Sequence, residues 1–190
     1  MAAVRAGHPY IPTAYVGIAV DPSDITGSVE ELGMARRCRR SDGGWYSEVC
    51  CYASEAHTQY LAARLDASLT ITQNPTALTF ATGALTGEDA GADDVIVIPQ
   101  QTIAAAGYYW FAYAGVCEAM AITAVTAGDH IEWLHDGGAG VAGEFSTATT
   151  TYHGTAAVPI EAAGFAIDPG VDSTASTIFL YGRAVAIKTA

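Results

Sequence analysis

With 190 residues, 51% of them hydrophobic, the chain can bury a sizeable core in one large domain or in two small ones that share it, yet twenty Gly and seven Pro leave few uninterrupted runs for long helices. The formal charge of −12, from twenty acids against eight bases, argues against nucleic acid or an anionic membrane as the main partner. No apolar run reaches the roughly 20 residues that cross a bilayer: the longest, Tyr108 to Ile122, is broken by Gly115 and charged at Glu118.

The first residues lack the apolar middle of a secretion signal, so the chain is expected to be made and used in the cytosol or in assemblies built there. Pro9, Pro12 and Gly17 around Tyr10, Ile11, Tyr15 and Val16 suit an extended arm over residues 1–30, and arms of that kind lie along a neighbour. Residues 31–190 read as a β-rich domain. Asp21 to Asp24 reads as a turn. Met34 to Arg40 then faces Trp45 to Ala53 across Ser41-Asp42-Gly43-Gly44, which predicts a hairpin. A competing reading makes Ser28 to Arg40 a helix opened by a capping box of Ser28 and Glu31. Glu55 to Leu65 is the one segment dense in helix formers and predicts a short helix.

Short β-branched or alternating runs follow at Leu69 to Thr72, Ala77 to Phe80 and Asp94 to Ile98, separated by Asn74-Pro75 and by an acidic loop over residues 87–94. Tyr108 to Ala114 places Tyr109, Phe111 and Tyr113 on one face and Tyr108 and Trp110 on the other, a strand covered on both sides. Gly115 interrupts it before Val116 to Ile122 continues. Ala127-Gly128-Asp129 turns into a strand from His130 to Leu134, a Gly-rich loop and a Thr-rich stretch come next, and a long strand at Thr177 to Ile187, irregular at Gly182, closes the chain. The expected fold is all-β, a mainly antiparallel β-sandwich or β-barrel-like domain with an extended N-terminal arm and at most one short helix.

Catalytic and metal chemistry find little purchase. A metal site needs at least three converging ligands, and of the five histidines His8, His57, His130, His135 and His153, the pair His130 and His135 would face opposite sides of a strand. The acidic loop with Glu88, Asp89, Asp93 and Asp94 lacks the oxygen spacing of a calcium loop. Asp136 to Gly143 has the glycines of a phosphate cradle without the Lys-Ser/Thr that completes one, and no Gly-x-Ser-x-Gly elbow occurs. Adjacent Cys50 and Cys51 point to opposite faces of a strand, so with Cys38 and Cys117 they read as reduced, core-filling thiols. No cofactor, metal or catalytic residue is expected, and the chain reads as a non-enzyme.

Interaction is the stronger signal. Residues 1–64 hold six arginines against seven acids, whereas residues 65–190 hold Arg183 and Lys188 against thirteen acids, a net of −11. Lys188 is the only lysine, although lysines commonly keep strand edges from pairing with other chains. Arg36, Arg37, Arg39 and Arg40 hold half of all basic residues within five positions, with Arg36, Cys38 and Arg40 on one strand face and Arg37 and Arg39 on the other. These guanidiniums either meet carboxylates of another subunit or pair within their own chain. The expected protein interface comprises Arg36, Arg37, Arg39 and Arg40 with the aromatic residues Tyr10, Tyr15, Trp110 and Tyr113, although the aromatic strand Tyr108 to Tyr113 is core by default.

Leu32-Gly33, the arginine strand leading to Ser41-Asp42-Gly43-Gly44-Trp45-Tyr46, the segment Gly107 to Gly115, the strand to Ile122, the Ala127-Gly128-Asp129 turn, the Gly-rich stretch and the closing strand resemble, in that order, the capsid cement or head decoration proteins of tailed bacteriophages. The resemblance covers residues 30–190 and is one of order and composition; the first thirty residues and the acidic loop have no counterpart. It implies a small β-domain on the outer surface of the virion, a homotrimer whose partner is the major capsid protein, with no role for nucleic acid or membrane. Two competitors belong to other classes: a tail or receptor-binding module that recognises carbohydrate through exposed aromatic residues, and a β-sandwich enzyme whose ligands converge from distant positions.

Overall fold

A computed structural model describes residues 15–19, 25–65, 68–72, 95–121, 124–133, 143–147 and 164–182. Its strands are β1 (Tyr15–Ala19), β2 (Ala35–Arg39), β3 (Trp45–Ala53), β4 (Ala63–Leu65), β5 (Thr70–Thr72), β6 (Val95–Val97), β7 (Gly107–Ala121), β8 (His130–Trp133), β9 (Phe145–Thr147), β10 (Gly164–Ala166) and β11 (Thr174–Leu180). Among the described residues there is no α-helix, and most of the pairing is antiparallel, so the all-β expectation holds.

The hairpin predicted around Asp42 forms. β2 and β3 pair antiparallel from Ala35↔Val49 to Arg39↔Trp45, with Gly44 N donating to Asp42 Oδ1 at the turn. The helix over Ser28 to Arg40 does not: only the 3-10 turn Val29–Glu31 appears, although Ser28 Oγ does donate to Glu31 Oε2. Gly33 at φ +79 ends the turn, and the chain enters β2, where Ala35 is buried on one face of the strand and Cys38 on the other. The helix expected over Glu55 to Leu65 is also absent. His57 instead exchanges both backbone hydrogen bonds with Ile103, Tyr60 sits at φ +67, and Ala63 to Leu65 become β4, inserted between β5 and β6. Ala63 and Leu65 are helix formers by propensity, but both are fully buried between two strands, and tertiary packing outweighs propensity there.

β7 organises everything else. The sequence places an interruption at Gly115; the strand instead runs unbroken for 15 residues, with a shift of register against β3 between Ser47 and Glu48. Gly115 lies at φ +92, and a Cβ there would meet the Trp45 carbonyl at 2.5 Å, so this position accepts only glycine without rearrangement. The first half of β7 pairs with β3, and β3–β5, β5–β4 and β4–β6 pairings lead back to β7 through an Ile98↔Ala112 bridge. The second half pairs with β11, and β11–β10, β10–β8 and β8–β9 lead back through Ala121↔Phe145. Two closed, barrel-like circuits therefore share one long strand. Each has its own apolar filling: Val49, Cys51, Leu65, Ile71, Val97, Ile103 and Phe111 in the first, and Cys117, Ala119, Ile131, Phe145, Ala166 and Ile178 in the second.

β11 begins before the expected Thr177 and ends at Leu180, and Gly182 lies at φ +68. β9 and β10 have no counterpart in the sequence reading. The expected arm contributes to this chain's own sheet, with β1 pairing parallel to β2 and Ile25 to Gly27 bonded to Tyr108 and Trp110. Tyr10, the run Ala77 to Phe80, the acidic loop, His8, His135, His153 and residues 183–187 lie outside the described residues.

Candidate protein-interaction site on the arginine hairpin

β2 alternates as its sequence dictates, and its two faces meet different surroundings. On the inner face Arg36 Nε binds Glu48 Oε2 at 2.6 Å, a carboxylate with no exposure to solvent, while its guanidinium lies 4.5 Å from the centre of the Trp110 ring. Glu48 is the cross-strand neighbour of Arg36, so the hairpin register itself creates the pair. Cys38 Sγ donates to the same oxygen at 3.1 Å, and Glu48 Oε1 has no hydrogen-bond partner among the described residues. Burial, then the Glu48 charge, push the Cys38 thiol up to about 12, and the same two causes raise the Tyr46 hydroxyl. Arg40 Nη2 reaches Glu118 Oε1 on β7 at 2.6 Å and its Nε reaches Asp42 Oδ2 at 2.9 Å, which ties the hairpin turn to the centre of the molecule. The Gly44 N–H first, and the Arg40 guanidinium with it, hold the Asp42 carboxyl below the usual range.

On the outer face the arginines have a different neighbour. Arg37 and Arg39 are exposed and lie 4.8 Å and 5.7 Å from the Trp45 ring, itself 36% exposed. Neither has a carboxylate partner among the described residues. Both guanidiniums lie over the indole ring, and Arg and Trp are the residue types that anchor protein interfaces.

The expected interface residues thus divide. Arg37 and Arg39 form the exposed site; Arg36 and Arg40 are tied within the chain. Trp110, 2% exposed beneath Arg36, is buried and has no surface to offer a partner, which corrects its expected interface role. Tyr113 is half-buried against the first core. Tyr15 pairs its backbone with Ala35 in β1–β2. Trp45 was missed as a site residue, although its place opposite Arg39 follows from the predicted hairpin.

Four other features complete the survey. All four cysteines are buried and none forms a disulfide, with burial raising Cys50 to about 11 and Cys117 to about 12. His57, buried edge-on to Phe111, has no well-formed hydrogen bond at either ring nitrogen among the described residues, and burial lowers its pKa against the opposing Glu55 charge and the Ile71 backbone. No group of three metal-ligating side chains converges among the described residues. Across β8, β10 and β11, His130, Phe165 and Phe179 are neighbours in register; the two Phe rings stack 5.3 Å apart, and Tyr181 packs on all three, giving a partly exposed aromatic row outside the second circuit. A comparison of the sequence with protein-family models and with curated proteins found no match.

Proposed function

We propose that this chain is a structural virion protein, a capsid decoration or cement protein that binds the outer surface of a phage head, with the major capsid protein and copies of itself, in a trimer, as its partners. The observation that carries the reading is the outer face of the hairpin, where two stacked arginines and a half-open tryptophan stand exposed on an otherwise acidic β-protein. The work such a protein does is linkage: a ligand that binds only the assembled shell stabilises it by mass action, and many weak contacts repeated over one lattice act together. No bond is made or broken, and no cofactor is required.

Mixing the purified chain with particles that lack it, sedimenting them and weighing the bound protein tests the reading. Arg37→Ala/Arg39→Ala/Trp45→Ala is expected to lower shell occupancy while leaving the melting temperature of the free protein nearly unchanged. Arg36 and Arg40 are left intact because removing them takes the ion-pair partners from Glu48 and Glu118. Equal occupancy by the triple variant and the parent refutes the assignment of this face.

The aromatic row of His130, Phe165, Phe179 and Tyr181 favours a second reading, a carbohydrate-binding tail or receptor module, because sugar rings pack against aromatic side chains. A glycan array separates the two: a cement protein gives no signal on it and still binds shells.

A further inference from the structure

The hairpin face has a matching surface elsewhere on the same chain. The loop between β10 and β11 exposes Ile167 and Val171, at 36% and 62%, and with them the exposed Asp168 and Asp172. No ion pair involves either carboxylate among the described residues. Two carboxylates beside two aliphatic side chains complement two guanidiniums beside an indole. We infer that the loop of one copy docks on the Arg37–Trp45–Arg39 face of the next, so that copies of this chain associate head to tail through it.

The two surfaces belong to different places on the molecule. The hairpin meets β7 at Tyr46↔Gly115, whereas the loop leads into β11 at Thr174↔Ala121. Six residues of strand at about 3.3 Å each separate these points by roughly 20 Å. Unlike patches on identical subunits make a heterologous contact, which closes into a ring when its rotation permits. The charge asymmetry points the same way, because the basic surplus sits in the hairpin and the net of −11 in residues 65–190. Copies at −12 each also repel as whole bodies, over a Debye length of about 30 Å at 0.01 M salt but only about 8 Å at 0.15 M. Association is therefore weakest at very low salt, strengthens toward physiological salt, and weakens again near 1 M where the arginine–aspartate contacts themselves are screened.

The contact deepens the decoration reading, and its test is separate. Sedimentation velocity of the full chain over a concentration series, at 0.15 M salt, is compared with that of Arg37→Glu/Arg39→Glu and of Asp168→Arg/Asp172→Arg. Each variant alone is expected to weaken self-association tenfold or more, to monomer at concentrations where the parent assembles. Mixing the two is expected to restore complexes, because each supplies the surface the other lacks. A parent that stays monomeric throughout, a variant that assembles like the parent, or a folded mixture that stays monomeric overturns the contact. Should circular dichroism show that a charge reversal unfolds the chain, Arg37→Gln/Arg39→Gln and Asp168→Asn/Asp172→Asn take its place with the same expectation for each alone. Shell co-sedimentation in parallel keeps the readings apart: a chain that binds shells as a monomer loses the head-to-tail contact alone, and one that self-associates but ignores shells loses decoration alone.

Discussion

On the side of β2 that meets Trp110 and Glu118, Arg36 and Arg40 each lie 2.6 Å from a carboxylate, and the partner of Arg36 is wholly buried. On the opposite side, Arg37 and Arg39 lie near the Trp45 ring and have no carboxylate partner among the described residues. Four identical side chains within five positions thus divide into two paired with carboxylates and two that are exposed. The difference comes from strand parity alone. It teaches that a run of like charge is not one feature: the same cluster is paired with carboxylates on one face and exposed on the other.

The largest expected effect comes from breaking the inner face. Glu48→Ala leaves the Arg36 guanidinium half-buried, 14% exposed, without its carboxylate, and removing one member of such a buried pair costs about 3–5 kcal/mol. Urea unfolding monitored by tryptophan fluorescence checks this as a lower midpoint with little change of slope. Glu48→Gln keeps the shape and loses the charge, so it is expected to fall between Ala and the parent. A Glu48→Ala protein as stable as the parent removes the structural half of the comparison.

A buried histidine sharpens the same contrast, since the core tolerates an ion pair at Glu48 and a neutral imidazole at His57. Burial lowers the His57 pKa in the fold below the ordinary histidine value of about 6.5. Well above pH 6.5, from about pH 7.5 upward, the group is neutral folded or unfolded and contributes almost no pH dependence. As pH falls below 6.5 the unfolded chain takes up a proton that the folded chain resists, so stability falls with it. His57→Leu, close in volume, is expected to differ from the parent by less than about 1.5 kcal/mol at pH 7.5 and to gain on it steadily between pH 6.5 and 5. Parallel curves for the two proteins over that range contradict the lowered pKa.

How much of this was legible in the sequence depended on the distance between partners. The hairpin was readable because Asp42, Gly43 and Gly44 sit between two alternating runs, and the division of the arginines followed from parity once β2 was a strand. β5, β6 and β8 announced themselves by local composition. The supposed helix at Glu55 to Leu65 failed because Ala62, Ala63 and Leu65 look like helix formers, whereas what fixes β4 is its pairing with β5 and β6, the latter more than thirty residues downstream. The partner of Arg40 lies 78 residues away, and the bridges Ile98↔Ala112 and Ala121↔Phe145 that close the two circuits are single residue pairs. No local pattern encodes such closures. Tyr10 lies outside the described residues, and the residue type of Trp110 points to an interface, whereas it is 2% exposed, with the Arg36 guanidinium 4.5 Å from its ring centre.

The smallest stability effect belongs to the outer face, and it is the informative one. Arg37→Ala and Arg39→Ala each remove an exposed cation–π contact whose worth is about 0.5–1 kcal/mol at such sites, offset in part by the side-chain freedom regained. The double variant is therefore expected to unfold within about 1 kcal/mol of the parent, far from the Glu48→Ala value, while Trp45 fluorescence shifts because its stacked cations are gone. A change of that kind, large in spectrum and small in stability, separates a surface kept for contact from one kept for folding: exposed residues that the fold does not need, held in a fixed geometry, have their consequence in what they bind. If the double variant instead unfolds as readily as Glu48→Ala, the outer arginines are part of the scaffold, and the docking face has to be sought on the aromatic row across β8, β10 and β11.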